Sequence, residues 1–318
     1  MVGHQISGMG SALTARETPF LQTLVTLGYL SVLVFAWGGN YTLVKIALED
    51  GGPLTFSALR FCGAAVVIAG AMLLFGRGRQ LLPYRGERMA LAVIGFFQIS
   101  VMTVLTAIAM LWIEAGRTVL IAYSMAVWAM LFSVPLLGER IGVRLVFGTA
   151  LGLGGLVVLT EPWQMSWHER EVILGSTIAL LGTIAWALGA VLYRRRVWQS
   201  PFWSQVFWQI ACGGALTTMA ALVLEFDEPL TLSPSFTAIL VYNWLLPTSL
   251  GFWCWARALS RTSATSAGQF LLLSPVFGVC LSYWVLDEPL SPSLLASAVL
   301  IILGAFLSLK ASGKAARG

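Results

Sequence analysis

The sequence predicts an all-α polytopic membrane protein of ten transmembrane helices in two inverted five-helix repeats. Three observations predict it: an extreme apolar composition, ten separated apolar stretches, and a charge pattern that alternates from gap to gap. Hydrophobic residues make up 58% of the 318 residues and charged residues only 10%. Soluble domains sit nearer about 45–50% apolar and roughly 25% charged. The net charge of +5 is not a nucleic-acid signal, because the cations lie in short gaps on one face.

A bilayer-spanning helix needs about 20 mostly apolar residues. The first stretch, 24–48, follows a tail at 1–23 that lacks the apolar core of a signal peptide and is expected to be cytoplasmic. It stops at Glu49-Asp50. The second, 53–75, stops before Arg77 and Arg79. The third, 89–112, lies between Arg88 and Glu114, and the fourth, 115–137, stops at Glu139-Arg140. The fifth, 142–160, ends at Glu161. The sixth, 172–193, runs from Glu171 to Arg194-Arg195-Arg196. The seventh, 202–224, ends at Glu225, the eighth, 236–256, at Arg257, and the ninth, 263–286, at Asp287-Glu288. The tenth, 293–309, opens behind Ser291-Pro292-Ser293, whose hydroxyls and proline suit a helix start, and leads into a basic tail at 310–318. Lipid-facing irregular backbone is forbidden, so the stretches must be helices.

Assigning the gaps alternately to two sides gives one side fifteen cations, from Arg16 to Arg317, against Glu17, Glu87 and Glu139 alone. The other side receives eleven acids, from Glu49 to Glu288, with Arg117 and Arg170 as its gap cations. Short cytoplasmic loops collect Lys and Arg, so the basic side and both termini are expected in the cytoplasm, in a plasma membrane of bacterial inner-membrane type.

The chain also aligns with itself. A gapless shift of 149 residues sets Trp37 on Trp186, Lys45 on Arg194, Ser100 on Ser249, Ser133 on Ser282 and Glu139 on Glu288. Five helices per half invert the second copy, giving repeats at 24–160 and 173–309. Inverted repeats are a transporter signature, with substrate bound near the midplane between them.

Trp37-Gly38-Gly39-Asn40-Tyr41 with Lys45, Ala58-Leu59-Arg60-Phe61 and Gly138-Glu139-Arg140-Ile141 fall in order in the first half. Ser263-Ala264-Thr265-Ser266-Ala267, Ser274-Pro275-Val276-Phe277 and Asp287-Glu288-Pro289-Leu290 follow in the second. By these motifs residues 24–309 resemble the EamA-type transporters of the drug/metabolite transporter superfamily. The resemblance implies export of small metabolites, amino acids foremost, aromatic ones among them. Phosphorylated or nucleotide-linked sugars are the alternative substrates. One departure is Ala126, which stands where the second half has Pro275, so helices 4 and 9 need not share a shape.

Aromatic and amide side chains mark the middle of the spans. Trp37, Asn40, Tyr41, Gln98, Tyr123, Trp128, Trp186, Asn243 and Gln269 are the candidate substrate-binding residues, on helices 1, 3, 4, 6, 8 and 9. Trp208 and Trp244 are also placed away from the interfacial belt. An amide facing hydrocarbon lacks partners, so these side chains should face other helices or a wet cavity. Lys45 and Arg60 stand about 10 Å inside the same turn, at 1.5 Å per residue. They form either an anion-attracting pair or snorkelling side chains, with Lys45 reaching Glu49. Glu139 and Glu288 are expected to favour the starts of helices 5 and 10. Gly148, Gly152 and Gly155 predict close helix packing, and the resemblance to the EamA-type transporters implies that helices 5 and 10 are peripheral.

The spans hold no mid-membrane Asp, Glu or His. That favours facilitated movement by alternating access over proton coupling, and speaks against an intramembrane enzyme, which needs such groups. A non-transporting membrane assembly protein leaves the buried amides unexplained. Cys62, Cys212, Cys254 and Cys280 have no metal-ligand spacing and are expected as small buried hydrophobes. No metal and no cofactor is expected; the partners are a small-molecule substrate and the lipid bilayer, with no nucleic acid. The sequence leaves the oligomeric state open.

Overall fold

A computed structural model describes residues 19–113, 115–139, 141–164, 169–278 and 292–315. Each of the ten apolar stretches falls on helix within these residues, the ninth as far as 278. Helix 1 is α1 (Pro19–Gly38) and α2 (Asn40–Ala47); helix 2 is α3 (Pro53–Leu74). Helix 3 is α4 (Arg85–Gly95), a π segment (Phe96–Val101) and α5 (Met102–Ala109). Helix 4 is α6 (Ala115–Tyr123) and α7 (Met125–Leu137), and helix 5 is α8 (Val143–Thr160). Helices 6 and 7 are α9 (Arg170–Arg194) and α10 (Phe202–Leu224). Helix 8 is α11 (Pro234–Asn243), a second π segment (Trp244–Leu250) and α12 (Gly251–Leu259). Helix 9 opens with α13 (Ala264–Leu271) and α14 (273–278), and helix 10 is α15 (Pro292–Ala315).

Six of these helices are long and apolar enough to cross a bilayer, and Val143–Leu159 and Leu295–Ser308 are shorter apolar helices. Large apolar side chains point outward along them, including Val66, Leu74, Phe147, Met219 and Val223. So much exposed apolar surface belongs in lipid.

The interruptions have local causes. Helix 1 breaks at Gly39, beside Gly38, which meets α14 so closely that a Cβ there would sit 2.5 Å from the Ser274 carbonyl oxygen. Helix 4 breaks at Ser124, whose hydroxyl donates to the Ile121 carbonyl at 2.6 Å. That back-bond diverts an acceptor from the helix ladder. Helix 9 breaks at Leu272, just before Pro275. The two helices therefore interrupt at nearly matching positions although Ala126 replaces the proline. Shifting Phe96–Val101 by 149 residues gives 245–250, inside the second π segment.

Packing recurs in corresponding pairs. α1 lies on α12 and α9 on α5; α1 lies on α13 and α9 on α6; α3 contacts the second π segment and α10 the first. α3 with α10, α7 with α13, and α8 with α15 cross between the halves. The glycines of helix 5 serve the last pair, as expected: a Cβ on Gly304 would meet the Gly148 oxygen at 2.6 Å, and one on Gly155 the Ser297 oxygen at 2.8 Å.

Burial divides the molecule across its thickness. One continuous core is drawn mainly from the helix halves nearer the arginine-rich end: Leu30 and Leu33, Phe61 to Met72, Leu91 to Ile99, Trp186 to Tyr193, and Cys254 to Leu272. The acid-rich half holds three smaller clusters instead, around Phe56 and Phe236, around Leu54 and Ala107, and around Ile113 and Val172.

Three expectations change. Glu139 does not cap helix 5, whose N-cap is Gly142. Instead its carboxylate pairs with the Arg194 guanidinium at 3.2 Å, because left-handed Gly138 ends α7 and turns the chain toward α9. Cys62 is exposed rather than buried, while Cys254 is buried. Trp208 belongs to the arginine-rich end, where its indole N–H donates to the Arg88 carbonyl at 2.9 Å. Cys280, Glu288 and Ser291 lie outside the described residues.

Candidate substrate site

The residues that converge do so around a tryptophan that the expected set omits. Trp255, on α12, is 2% exposed. Its ring centroid lies 4.8 Å from Trp186 on α9 and 6.2 Å from Trp37 on α1. Phe252 adds an edge 5.9 Å from Trp37. Three tryptophans from helices 1, 6 and 8 thus form one aromatic body, with Trp186 and Trp255 in the continuous core and Trp37 packed against it. Offset and tilted arrangements suit the ring quadrupoles and add to simple burial.

The cluster is anchored by unusual backbone. Pro247 in the second π segment carries no N–H and disturbs the ladder. Its own carbonyl accepts from the Trp37 indole N–H at 2.8 Å, a bond across 210 positions of sequence. The Ser249 hydroxyl donates to the Trp244 carbonyl at 2.5 Å, within the same distorted turn. Gly251 leaves room for the Trp37 ring edge, since a Cβ there would lie 2.7 Å from its indole nitrogen.

Gln98 lies in the first π segment and is 3% exposed. Its side chain packs on Gly189, one helical turn along α9 from Trp186. Its Nε2 has no hydrogen-bond partner, and neither does the Trp255 indole nitrogen. Two buried donors therefore stand unsatisfied, a costly state that a ligand acceptor would relieve. Tyr123 is buried in the same core, and Trp128 packs against it half-buried. The Oδ1 of Asn40, at the start of α2, also lacks a partner.

Other expected members lie apart. Asn243 donates to the Ile239 carbonyl of its own helix at 3.0 Å, leaving its Oδ1 buried without a partner. The Gln269 amide donates to the Thr149 hydroxyl, toward helix 5. The Arg60 guanidinium lies 4.4 Å over the Phe61 ring. The side chains of Tyr41 and Lys45 lie outside the described set.

Trp255 is not among the residues the sequence marks, and it stands one residue inside the end of the eighth stretch at 256. The helix continues to Leu259. The available signal was the Trp-x-Trp pair 253 and 255, whose members face differently: Trp253 stacks on Trp203 at 5.4 Å, and Trp255 turns inward. Arg117, only 4% exposed on α6, was likewise counted as a surface cation.

The family model for EamA-like transporters matches residues 25–161 and again 173–310. An uncharacterised transporter of Bacillus subtilis, YoaV, is 23% identical over 89% of this chain and 96% of its own length. A probable amino-acid metabolite efflux pump of Salmonella typhimurium is 26% identical over 88% of this chain and 94% of its own. An uncharacterised inner membrane transporter of Escherichia coli, YedA, is 25% identical over 91% and 94%. A crystal structure 21% identical in sequence superposes with a TM-score of 0.77, covering 92% of this chain and 98% of that one, and shares the fold. With two family matches spanning both halves of an all-helical, lipid-facing architecture, the chain belongs to the EamA-like transporter family.

Proposed function

We propose that this transporter exports small organic metabolites, amino acids foremost and aromatic ones in particular, through alternating access between two inverted five-helix repeats at 24–160 and 173–309. The observation that carries this reading is the Trp37–Trp255–Trp186 body, with the unsatisfied Gln98 and Trp255 donors at its side. Flat aromatic faces suit a planar or apolar side chain. Buried N–H donors suit a carboxylate, and a few such groups fix orientation in a mostly apolar site. The amino-acid metabolite pump among the relatives supports the same substrate class. Asn40 and Tyr41 extend the site along helix 1, and Tyr123 and Trp128 along helix 4. Asn243 and Gln269 lie apart from it, held by Ile239 and Thr149. Lys45 and Arg60 draw the anionic end of the substrate from the acid-rich side.

Recurring helix pairs, coincident π segments and the two family matches support the repeat. With the arginine-rich end in the cytoplasm, the continuous core closes the inner side and the divided clusters leave the outer side the weaker barrier. Reporters fused after Arg79, Arg195 and Arg317 should then report cytoplasm, and those near Gln164 and Thr231 the exterior. An external signal after Arg195 would break the topology.

Transport is facilitative in this reading, resting on spans that carry no midplane carboxylate or histidine. The test is uptake into proteoliposomes of a labelled amino-acid panel. Tryptophan, phenylalanine and tyrosine should move down their gradients, and collapsing the proton gradient should leave the rate unchanged. Accumulation driven by a pH step alone would overturn the energetics. Indifference to the whole panel would overturn the substrate class.

A further inference from the structure

A cavity of about 340 Å³ opens beside the arginine-rich end, between α4 and α9, and shares no lining residue with the tryptophan body. Its wall is apolar, made by Ala90, Val93, Ile94 and Leu192, and its rim carries Arg195 and Arg196. The groove continues into lipid-facing surface. Met89, Val93 and Phe96 are exposed on one face of helix 3, one turn apart, running from the rim toward the middle of the span.

The rim is built rather than merely charged. The Trp198 ring stacks on Tyr193 at 5.3 Å, and its indole N–H donates to the Tyr193 carbonyl at 2.8 Å. The Arg196 guanidinium lies 5.6 Å over that fixed ring and donates from Nη2 to the Gly86 carbonyl at 2.8 Å. Its remaining donors stay open. Arg195 is exposed beside it. The nearby acid, Glu87, attracts Arg196 electrostatically, while its two carboxylate oxygens accept from the backbone N–H groups of Gln199 and Ser200 at 2.7 and 3.1 Å.

We propose that this groove seats an anionic phospholipid of the adjoining leaflet. The phosphodiester lies on Arg195 and Arg196, and one acyl chain lies along Val93, Ile94 and Leu192. Charge complementarity selects an anionic headgroup, and the apolar wall opening to the hydrocarbon region selects a chain-bearing ligand over a free anion. Basic pockets between membrane helices bind anionic headgroups on this basis. The seat touches α9 just beyond Arg194, so an occupant braces the end of the helix that carries Trp186.

The test uses the full-length protein in mild detergent, titrated with dioleoyl-phosphatidylglycerol or dioleoyl-phosphatidylcholine and followed by native mass spectrometry. One phosphatidylglycerol should bind at concentrations where phosphatidylcholine does not. Arg195→Ala/Arg196→Ala should weaken it about tenfold or more, at about 1 kcal/mol per cation near the surface. Arg195→Lys/Arg196→Lys should retain most of it, and Arg77→Ala/Arg79→Ala should leave it intact. Ala90→Trp keeps both charges and fills the groove, so it too should weaken binding. Unchanged affinity in the double alanine variant, equal binding of the two lipids, or competition by inorganic phosphate at the same concentration as the lipid would each overturn the proposal.

Discussion

The two ends of this molecule are built from matching sequence yet packed differently. Toward the arginine-rich end, helices from both halves share one core that runs without interruption from Leu30 to Leu272. Toward the acid-rich end, the same helices bury their apolar residues in three separate clusters. The ion pair between Glu139 and Arg194 fastens the first end, joining the turn after helix 4 to the end of helix 6. The acid-rich end is held by side-chain ties between helices distant in sequence. The Glu225 carboxylate accepts from the first N–H groups of α3, Leu54 at 2.9 Å and Thr55 at 2.7 Å, and Ser233 donates to Asp50 at 2.5 Å. These ties also cross between the halves, but they do so at separate points rather than through one shared core. The difference teaches that a duplicated set of helices does not enforce equal packing at both faces, which is the asymmetry an alternating mechanism requires.

The strongest way to break this comparison is at the tryptophans of the continuous core. Trp186→Ala removes a large packed ring and should reduce transport by tenfold or more in proteoliposomes. Trp255→Phe is the sharper probe. The indole nitrogen of Trp255 has no partner in the fold, so phenylalanine should leave thermal stability nearly unchanged while lowering transport several-fold. Trp37→Phe should do the opposite in part: it forfeits the bond to the Pro247 carbonyl, at about 1 kcal/mol of stability. Equal transport by Trp255→Phe and the parent would remove this indole from the site.

A second test acts on the crossing of helices 1 and 9. Gly38→Ala places a methyl against the Ser274 carbonyl, and the backbones must separate. Overpacking of this kind costs about 1–3 kcal/mol, readable as a lower unfolding temperature. The counterpart on α9, Ala187, already carries a Cβ within a continuous helix, so Ala187→Gly should change stability by no more than about 1 kcal/mol. Similar losses at both positions would erase the distinction between helices 1 and 6.

The smallest expected effect belongs to the ion pair. Both partners are about one-quarter to one-third exposed, so Glu139→Ala or Arg194→Ala should cost no more than about 1 kcal/mol. The informative readout is access. A cysteine placed at Ala190, buried in the continuous core, should react faster with a thiol reagent when the pair is broken. The charge-swapped double variant should restore slow labelling. Labelling that ignores the pair would leave the arginine-rich end closed by packing alone.

The coarse architecture was legible in the chain because lipid imposes long apolar runs and the loops betray their side by charge. Gly148, Gly152 and Gly155 announced their contact for a related reason: close helix approach in lipid leaves few residue types to choose from. The site was less legible. Trp37, Trp186 and Gln98 come together, but Gln269 turns to Thr149 and Asn243 to its own helix, because an amide binds whichever acceptor the rotation of its helix presents. Rotation depends on where a helix breaks. Neither the break at Ser124 nor the π segment at Phe96–Val101, which contains no proline, has a strong sequence mark. Trp255 has no mark of its own in the sequence: only its helix's rotation separates it from Trp253, which faces Trp203.

The glycine contact between α8 and α15 has a mechanical consequence. At Gly148, Gly152 and Gly304 the two backbones meet directly, with the Ser308 side chain seated against Gly148 and that of Ile301 against Gly155. Sliding one helix by a single residue, about 1.5 Å, would drive the side chains of Ile301 and Ser308 into the opposing ridge. The joint is keyed against axial slip. Helices 5 and 10 thus join the halves as one keyed pair, and under the proposed alternating access this pair is the part that keeps its register.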